Sequence, residues 1–232
     1  MYKNFFNGYE AIIFDLDGTI VNDELVWDSV LEEVFLPEIV SESPYLGERG
    51  QNLRAKIYSI KVRNTFRTNI SEESFYELVL NSFFKKLDEI EITTGFIQFA
   101  EFLKSQQKKL VLVTNSDQRL TNKIIEHLNL KKYFDLVLTS DDVKFPKPAP
   151  HIYELAILKL NLKKEKILVF EDSVNGANAA ERAGLRMIIV LPDEHSPFEY
   201  GSKNRIFIEN FDVINEDLET DADTFIEDFF NN

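Results

Sequence analysis

Apolar and polar positions divide the chain into two textures. Ala11-Ile12-Ile13-Phe14, Leu110-Val111-Leu112-Val113 and Ile167-Leu168-Val169-Phe170 are short continuous apolar runs, and further runs surround Val137 and Ile188. Runs of this kind, bounded by turn residues, predict strands buried on both faces. Amphipathic stretches at helical spacing separate them from Leu110 onward. That alternation predicts an α/β protein with a doubly wound parallel sheet of roughly five or six strands. The stretch from Asn22 to Ile92 differs. It lacks a β-branched run, and its apolar residues recur at helical spacing: Leu25, Val26, Val30, Leu31, Val34, Phe35, then Phe75, Leu78, Val79, Phe83 and Leu87. This predicts a helical unit inserted after the first strand. The division expected is a core of residues 1–21 and 93–232 with a helical unit at 22–92. Residues 209–228 are acidic and contain no lysine or arginine, yet Phe225, Ile226, Phe229 and Phe230 give that end an apolar face. A last docked helix with a solvated acidic side is expected there.

Charge and composition narrow the function classes. The formal net charge of -14 leaves no basic patch for releasing counterions, so a nucleic-acid partner is not expected. It does not exclude an anionic substrate, because one divalent cation and one lysine invert the sign of a small pocket. The chain has no cysteine, which removes disulfides, thiolate metal sites and thiol nucleophiles. No stretch is long and apolar enough to cross a membrane, and the first residues lack an apolar signal core. A cytoplasmic monomer with no membrane partner is the expectation. His127, His151 and His195 lack metal-ligand spacing and are assigned no role.

The chemistry concentrates at Phe14-Asp15-Leu16-Asp17-Gly18-Thr19. Two carboxylates leave the first strand at its C-terminal end, where parallel sheets bind ligands. A carboxylate pair fixed there can attack an electrophile, move a proton or hold a cation. Further blocks follow in order: Thr114-Asn115-Ser116 after one strand, Lys147-Pro148-Ala149-Pro150 before a helix, Glu171-Asp172-Ser173 after another strand, and Asn175-Gly176 opening a helix. Prolines flank Lys147 and stiffen the backbone that aims it.

With these blocks the chain resembles the haloacid dehalogenase superfamily of phosphotransferases, in the beta-phosphoglucomutase-like branch with a small helical cap. The resemblance spans nearly the whole chain. It implies a Rossmann-like core, a cap at 22–92 that closes over the active site, and an Mg²⁺ cofactor. It further implies that Asp15 is the nucleophile and forms an aspartyl-phosphate, and that Asp17 is the general acid and base. Mg²⁺ would be held by the side chains of Asp15 and Asp172 and by the backbone carbonyl of Asp17. Glu171 would hold a metal-bound water or bind the metal directly. Thr114 and the amide of Asn115 would grip phosphate oxygens, and Lys147 would pair with the phosphoryl group and offset Asp15 and Asp172. Thr19 orders the loop or is a turn residue. Ser173, Asn175 and Gly176 would shape the metal loop, and a second aspartate at position 17 favours phosphate over halide as the group removed.

Within the branch, the mutases usually carry a histidine on the first cap helix and Ser-Ala-Ser-Lys in the second loop. This chain has Trp27 and Thr114-Asn115-Ser116-Asp117 instead. Gly47, Arg49 and Leu53 resemble the cap loop that contacts substrate, which makes Arg49 a candidate for a distal anionic or hydroxyl group. The expected activity is an Mg²⁺-dependent phosphatase acting on a small phosphorylated metabolite, a sugar phosphate ahead of a nucleoside monophosphate. The alternatives are a phosphosugar mutase and, from another class, a non-catalytic protein that binds a phosphorylated metabolite.

Overall fold

The computed structural model describes residues 2–40, 43–45, 53–191, 200 and 206–219. Six strands form one parallel sheet: β1 (Ala11–Phe14), β4 (Lys109–Val113), β5 (Leu136–Leu138), β6 (Ile167–Glu171), β7 (Arg186–Val190) and β8 (Ile206–Ile208). Their order is β5-β4-β1-β6-β7-β8, so the first strand of the chain lies inside the sheet. Phe14 is in register with Leu112 on one side and Phe170 on the other. The carboxyl ends of β1 and β6, and the loop following β4, therefore converge on one rim. The last strand, β8, had no counterpart among the runs marked by sequence.

Period-two alternation explains why these runs are apolar throughout. Ile12, Phe14, Leu110, Leu112, Leu168 and Phe170 face one layer of helices, α1 (Tyr2–Asn7), α5 (Phe96–Ser105), α6 (Gln118–His127) and α9 (Asp212–Glu219). Ala11, Ile13, Val111, Val113, Ile167 and Val169 face the other, α7 (His151–Leu160) and α8 (Val174–Ala183). The first layer is filled by rings: Phe14 stacks on Phe170 at 5.1 Å, and Phe99 on Phe211 at 5.6 Å. The second layer is alanine-rich. Ala177, Ala179, Ala180 and Ala183 are all fully buried, which lets α8 lie close against the sheet.

Between β1 and α5 the described chain is helical apart from a small ribbon, β2 (Val21–Asn22) paired antiparallel with β3 (Glu91–Ile92). Two-residue strands are too short to show a period, so the ribbon escapes pattern reading. Above it lie α2 (Glu24–Val30), a π-turn and a 3₁₀ turn through Glu38, α3 (Leu53–Arg63) and α4 (Glu72–Phe84). Val26, Val30, Phe35, Ile57, Ile60, Phe75, Val79 and Phe83 are buried there, with Phe35 and Phe75 in ring contact at 4.5 Å. Leu25, part of the apolar spacing, is 80% exposed instead. Phe225, Ile226, Phe229 and Phe230 lie outside the described residues.

Candidate active site

The rim gathers most of the residues singled out by sequence. Asp15 follows β1 directly, and its amide bonds to the Phe170 carbonyl, so the strand pairing fixes its position. Lys147 reaches it from the loop before α7. Its Nζ donates to Asp15 Oδ1 at 2.6 Å, to Glu171 Oε1 at 2.5 Å and to the Val113 carbonyl at 2.9 Å. Asn115 anchors this lysine through its backbone, accepting from the Lys147 amide at 2.8 Å and donating to its carbonyl at 3.1 Å. Lys147 is 5% exposed, Asp15 6% and Glu171 not at all, so the ion pairs are buried.

Glu171 is saturated by donors. Oε1 accepts from Lys147 and from the Tyr153 hydroxyl at 2.9 Å. Oε2 accepts from the Asp172 and Ser173 amides and from Ser173 Oγ, each at 3.1 Å. A side chain at position 176 would have no room, because a Cβ on Gly176 would fall 1.7 Å from Glu171 Oε1. Ser173, not Asp172, caps α8 by accepting from the Gly176 amide, which leaves the Asp172 carboxylate turned to the cavity. Thr19 donates to Asp172 Oδ1 at 3.2 Å. Gly18 completes the turn at φ 83°, a conformation most side chains avoid, and a Cβ there would meet Asp172 Oδ2.

Asp17 is gripped from the loop after β4. Its Oδ2 accepts from Thr114 Oγ1 at 3.1 Å and from Ser116 Oγ at 2.6 Å. Thr114 is fully buried, and Asn115 and Ser116 form the cavity wall beside it. Asp17 Oδ1 is buried with no hydrogen-bond partner among the described residues. Burial, then the charge and hydrogen bond of Asp17, push Asp23 well above the usual carboxylate range.

Charge in this cluster is unbalanced. Burial first, and then Glu171, Asp172 and Asp17, push Asp15 well up against the opposing pull of Lys147. Burial and Glu171 push Asp172 up to about 8, against the pull of Lys147 and Thr19. Burial alone would lower the Lys147 ammonium, but Asp15 and Glu171 outweigh it and hold it well above its ordinary value. One ammonium thus faces several carboxylates. Oxygens of Asp15, Glu171 and Asp172 lie within 4.8 Å of one another, and with Glu171 taken up by its donors, Asp15 and Asp172 are the carboxylates left to a hard divalent cation such as Mg²⁺. The surplus negative charge and the all-oxygen donors both fit such an ion.

A cavity of about 620 Å³ rises from this floor. Asp15, Asp17, Lys147 and Asp172 line its base, and Trp27, Asp28, Leu53 and Lys56 of the helical unit line its upper wall. The Trp27 indole is held between Phe83, at 4.5 Å, and Asp23, which accepts from Nε1 at 2.9 Å. Trp27 is therefore both packed and cavity-lining. Arg49 lies outside the described residues, as does Gly47. Sequence reading did not single out Tyr153, Asp23 or the grip of Ser116 on Asp17. Ser116 at least stood inside a marked block, whereas Tyr153 carried no signal beyond a helix start.

The profile of the haloacid dehalogenase-like hydrolases matches residues 12–190. A phosphorylated carbohydrates phosphatase of Thermotoga maritima is 32% identical over 77% of this chain and 83% of its own. The fructose-1-phosphate phosphatase YqaB of Escherichia coli is 27% identical over 78% of this chain and 96% of its own. Among solved structures, CbbY from Rhodobacter sphaeroides in complex with phosphate superposes with a TM-score of 0.75. It covers 88% of this chain and 95% of its own at 22% identity, a likeness of fold. The beta-phosphoglucomutase of Clostridium difficile does so with a TM-score of 0.69, covering 96% and 97% at 20% identity.

Proposed function

The chain belongs to the haloacid dehalogenase-like hydrolases and is a phosphoric monoester hydrolase, and on that premise we propose that it is an Mg²⁺-dependent phosphatase for a small sugar phosphate. The observation that carries this reading is Lys147, buried and bonded at once to Asp15 and Glu171 beside Asp172. That arrangement holds a carboxylate nucleophile and a fixed cation where a phosphoryl group would sit. The sugar phosphate is supported by the two curated relatives, one named for phosphorylated carbohydrates and one for fructose-1-phosphate.

Asp15 attacks phosphorus, and the bond from phosphorus to the ester oxygen breaks. Asp17 gives its proton to the departing alkoxide. Water then attacks the aspartyl-phosphate, Asp17 takes a proton back, and phosphate leaves with Asp15 restored. Thr114 and Ser116 hold the Asp17 carboxyl in place for both transfers. Lys147 stabilises the oxygens of the transferring group while staying charged. Mg²⁺, held by Asp15, Asp172 and the carbonyl of Asp17, would neutralise the substrate dianion. Glu171, with both oxygens occupied, orients Lys147 and the 171–173 loop. The helical unit is the cap that excludes water and reads the sugar.

The test is phosphate release from a panel of sugar phosphates and nucleoside monophosphates, with Mg²⁺ and with chelator. Mg²⁺-dependent release, greatest on sugar phosphates, is expected. Isomer formation without release would replace the reading with a mutase, and tight binding without either would replace it with a non-catalytic binder.

A further inference from the structure

The helical unit is fastened to the core at a point outside the cavity. On α4, Glu73, Tyr76 and Glu77 share one face. The Tyr76 hydroxyl donates to Asp117 Oδ2 at 2.8 Å, and the two residues are 4% and 3% exposed. Asp117 Oδ1 accepts from the Leu120 amide and caps α6, so this carboxylate is held from both sides. Around the buried bond runs an exposed rim: Arg119 meets Glu77 at 2.5 Å, and Arg54 of α3 lies 4.0 Å over the Tyr76 ring while pairing with Glu73 at 2.8 Å.

Asp117 immediately follows the residues that hold Asp17, since Thr114 and Ser116 both donate to that carboxylate. We propose that Tyr76 is a positioning residue, whose bond to Asp117 clasps the helical unit onto the 114–117 loop and sets the fraction of molecules closed over substrate. The kinetic part of this inference rests on the phosphatase reading above.

Three observations support the clasp. Asp117 is absent from the cavity wall, so its carboxylate serves contacts within the protein. The buried bond has a carboxylate acceptor held away from the surface, which makes it the strong member of the set, whereas the exposed rim pairs are screened. Burial, with Asp117 next in effect, pushes the Tyr76 phenol well up, so it remains a donor throughout the neutral range. Separating the surfaces would strip Asp117 of one donor and leave a desolvated carboxylate to be rehydrated. Apparent affinity is the intrinsic affinity scaled by the closed fraction, so weakening the clasp acts on binding.

The experiment is Tyr76→Phe, which deletes one hydroxyl and keeps the ring beneath Arg54. With Mg²⁺ present, KM for the best sugar phosphate is expected to rise about tenfold with kcat within about twofold, a change of ~1.4 kcal/mol. Amide exchange over residues 72–84 is expected to quicken by about the same factor, with strands β1 and β6 unaffected. An unchanged KM, or a kcat that falls while KM holds, overturns the proposal. Equal exchange in the two proteins overturns it independently of activity. If no phosphoester is turned over by the unmodified protein, the phosphatase reading fails while the exchange comparison still decides the clasp. Should Tyr76→Phe not fold, Asp117→Ser keeps a capping oxygen for the Leu120 amide and removes the second carboxylate oxygen that Tyr76 meets, and the same quickened exchange is required of it.

Discussion

The catalytic floor and the helical unit above it are held by different kinds of polar contact. In the floor, Lys147, Asp15 and Glu171 are bonded at 2.5–2.6 Å with almost no exposure. In the helical unit, the pair Arg54–Glu73 has side chains 54% and 65% exposed, and Lys86–Glu33 17% and 53%. Dry charges have to be fixed by folding itself, and this fixes the reacting groups before substrate arrives. Wet ion pairs contribute little to stability, so the helical unit relies on its buried rings and on the buried bond from Tyr76 to Asp117.

Substitutions should separate the two regions by size of effect. Asp15→Asn removes the proposed nucleophile, and phosphate release is expected to fall by about 10⁴-fold or more with the circular-dichroism spectrum retained. Substantial residual release would end the nucleophile assignment. Lys147→Met leaves Asp15 and Glu171 buried without their cation; a cost of about 3–5 kcal/mol in urea unfolding is expected along with lost turnover. A variant as stable as the parent would show that the floor is not held by this charge. Asp17→Asn should slow hydrolysis by about 10²–10⁴-fold while Mg²⁺ still raises Tm, because the backbone carbonyl remains. Loss of the metal effect with little change in rate would reverse its assigned role.

Smaller effects follow. In the folded, metal-free protein the Asp172 carboxyl is pushed up to about 8, against an ordinary value of 3.8. The folded form then holds its proton more tightly than the unfolded chain. The stabilisation is complete below about pH 4 and is lost as pH rises toward 8. Chelated protein should therefore show a falling Tm from pH 5 to pH 8, and Mg²⁺ should offset the fall by favouring the carboxylate. A flat profile in chelator would contradict the charge imbalance described for the floor. At the small end, Lys86→Met breaks only a partly exposed pair of the helical unit. Tm is expected to move by no more than about 2 °C, and a larger drop would mean that this region is stiffer than its contacts suggest.

Strands β1, β4, β6 and β7 were legible because burial on both faces demands continuous apolar runs. Asp15, Lys147 and Asp172 were legible because short blocks beside those runs place them at one rim. The ribbon of Val21–Asn22 with Glu91–Ile92 was not, since two residues carry no period, and neither was the short edge strand Ile206–Ile208. Sequence could mark Glu171 but not choose among its partners. Its five donors come from Lys147, Tyr153, Asp172 and Ser173, and only the folded chain brings Tyr153 to it. Asp117 stood in a marked block as a departure from the mutase pattern, but its tie to Tyr76 spans 41 residues and depends on how the helical unit docks.

The interior place of β1 bears on how the polypeptide is made. Ala11 pairs with Lys109 on one side and Ile167 on the other. A nascent chain that has left the ribosome only as far as α4 can already gather Phe35, Phe75 and Phe83 around short loops, yet its first strand has no neighbour. Long-range parallel pairing forms slowly and leaves unpaired edges exposed meanwhile. Asp15 is synthesised long before its partners: its lysine arrives at 147, and Glu171 and Asp172 come later still. A truncated translation product would carry the most conspicuous motif of the chain and none of its chemistry.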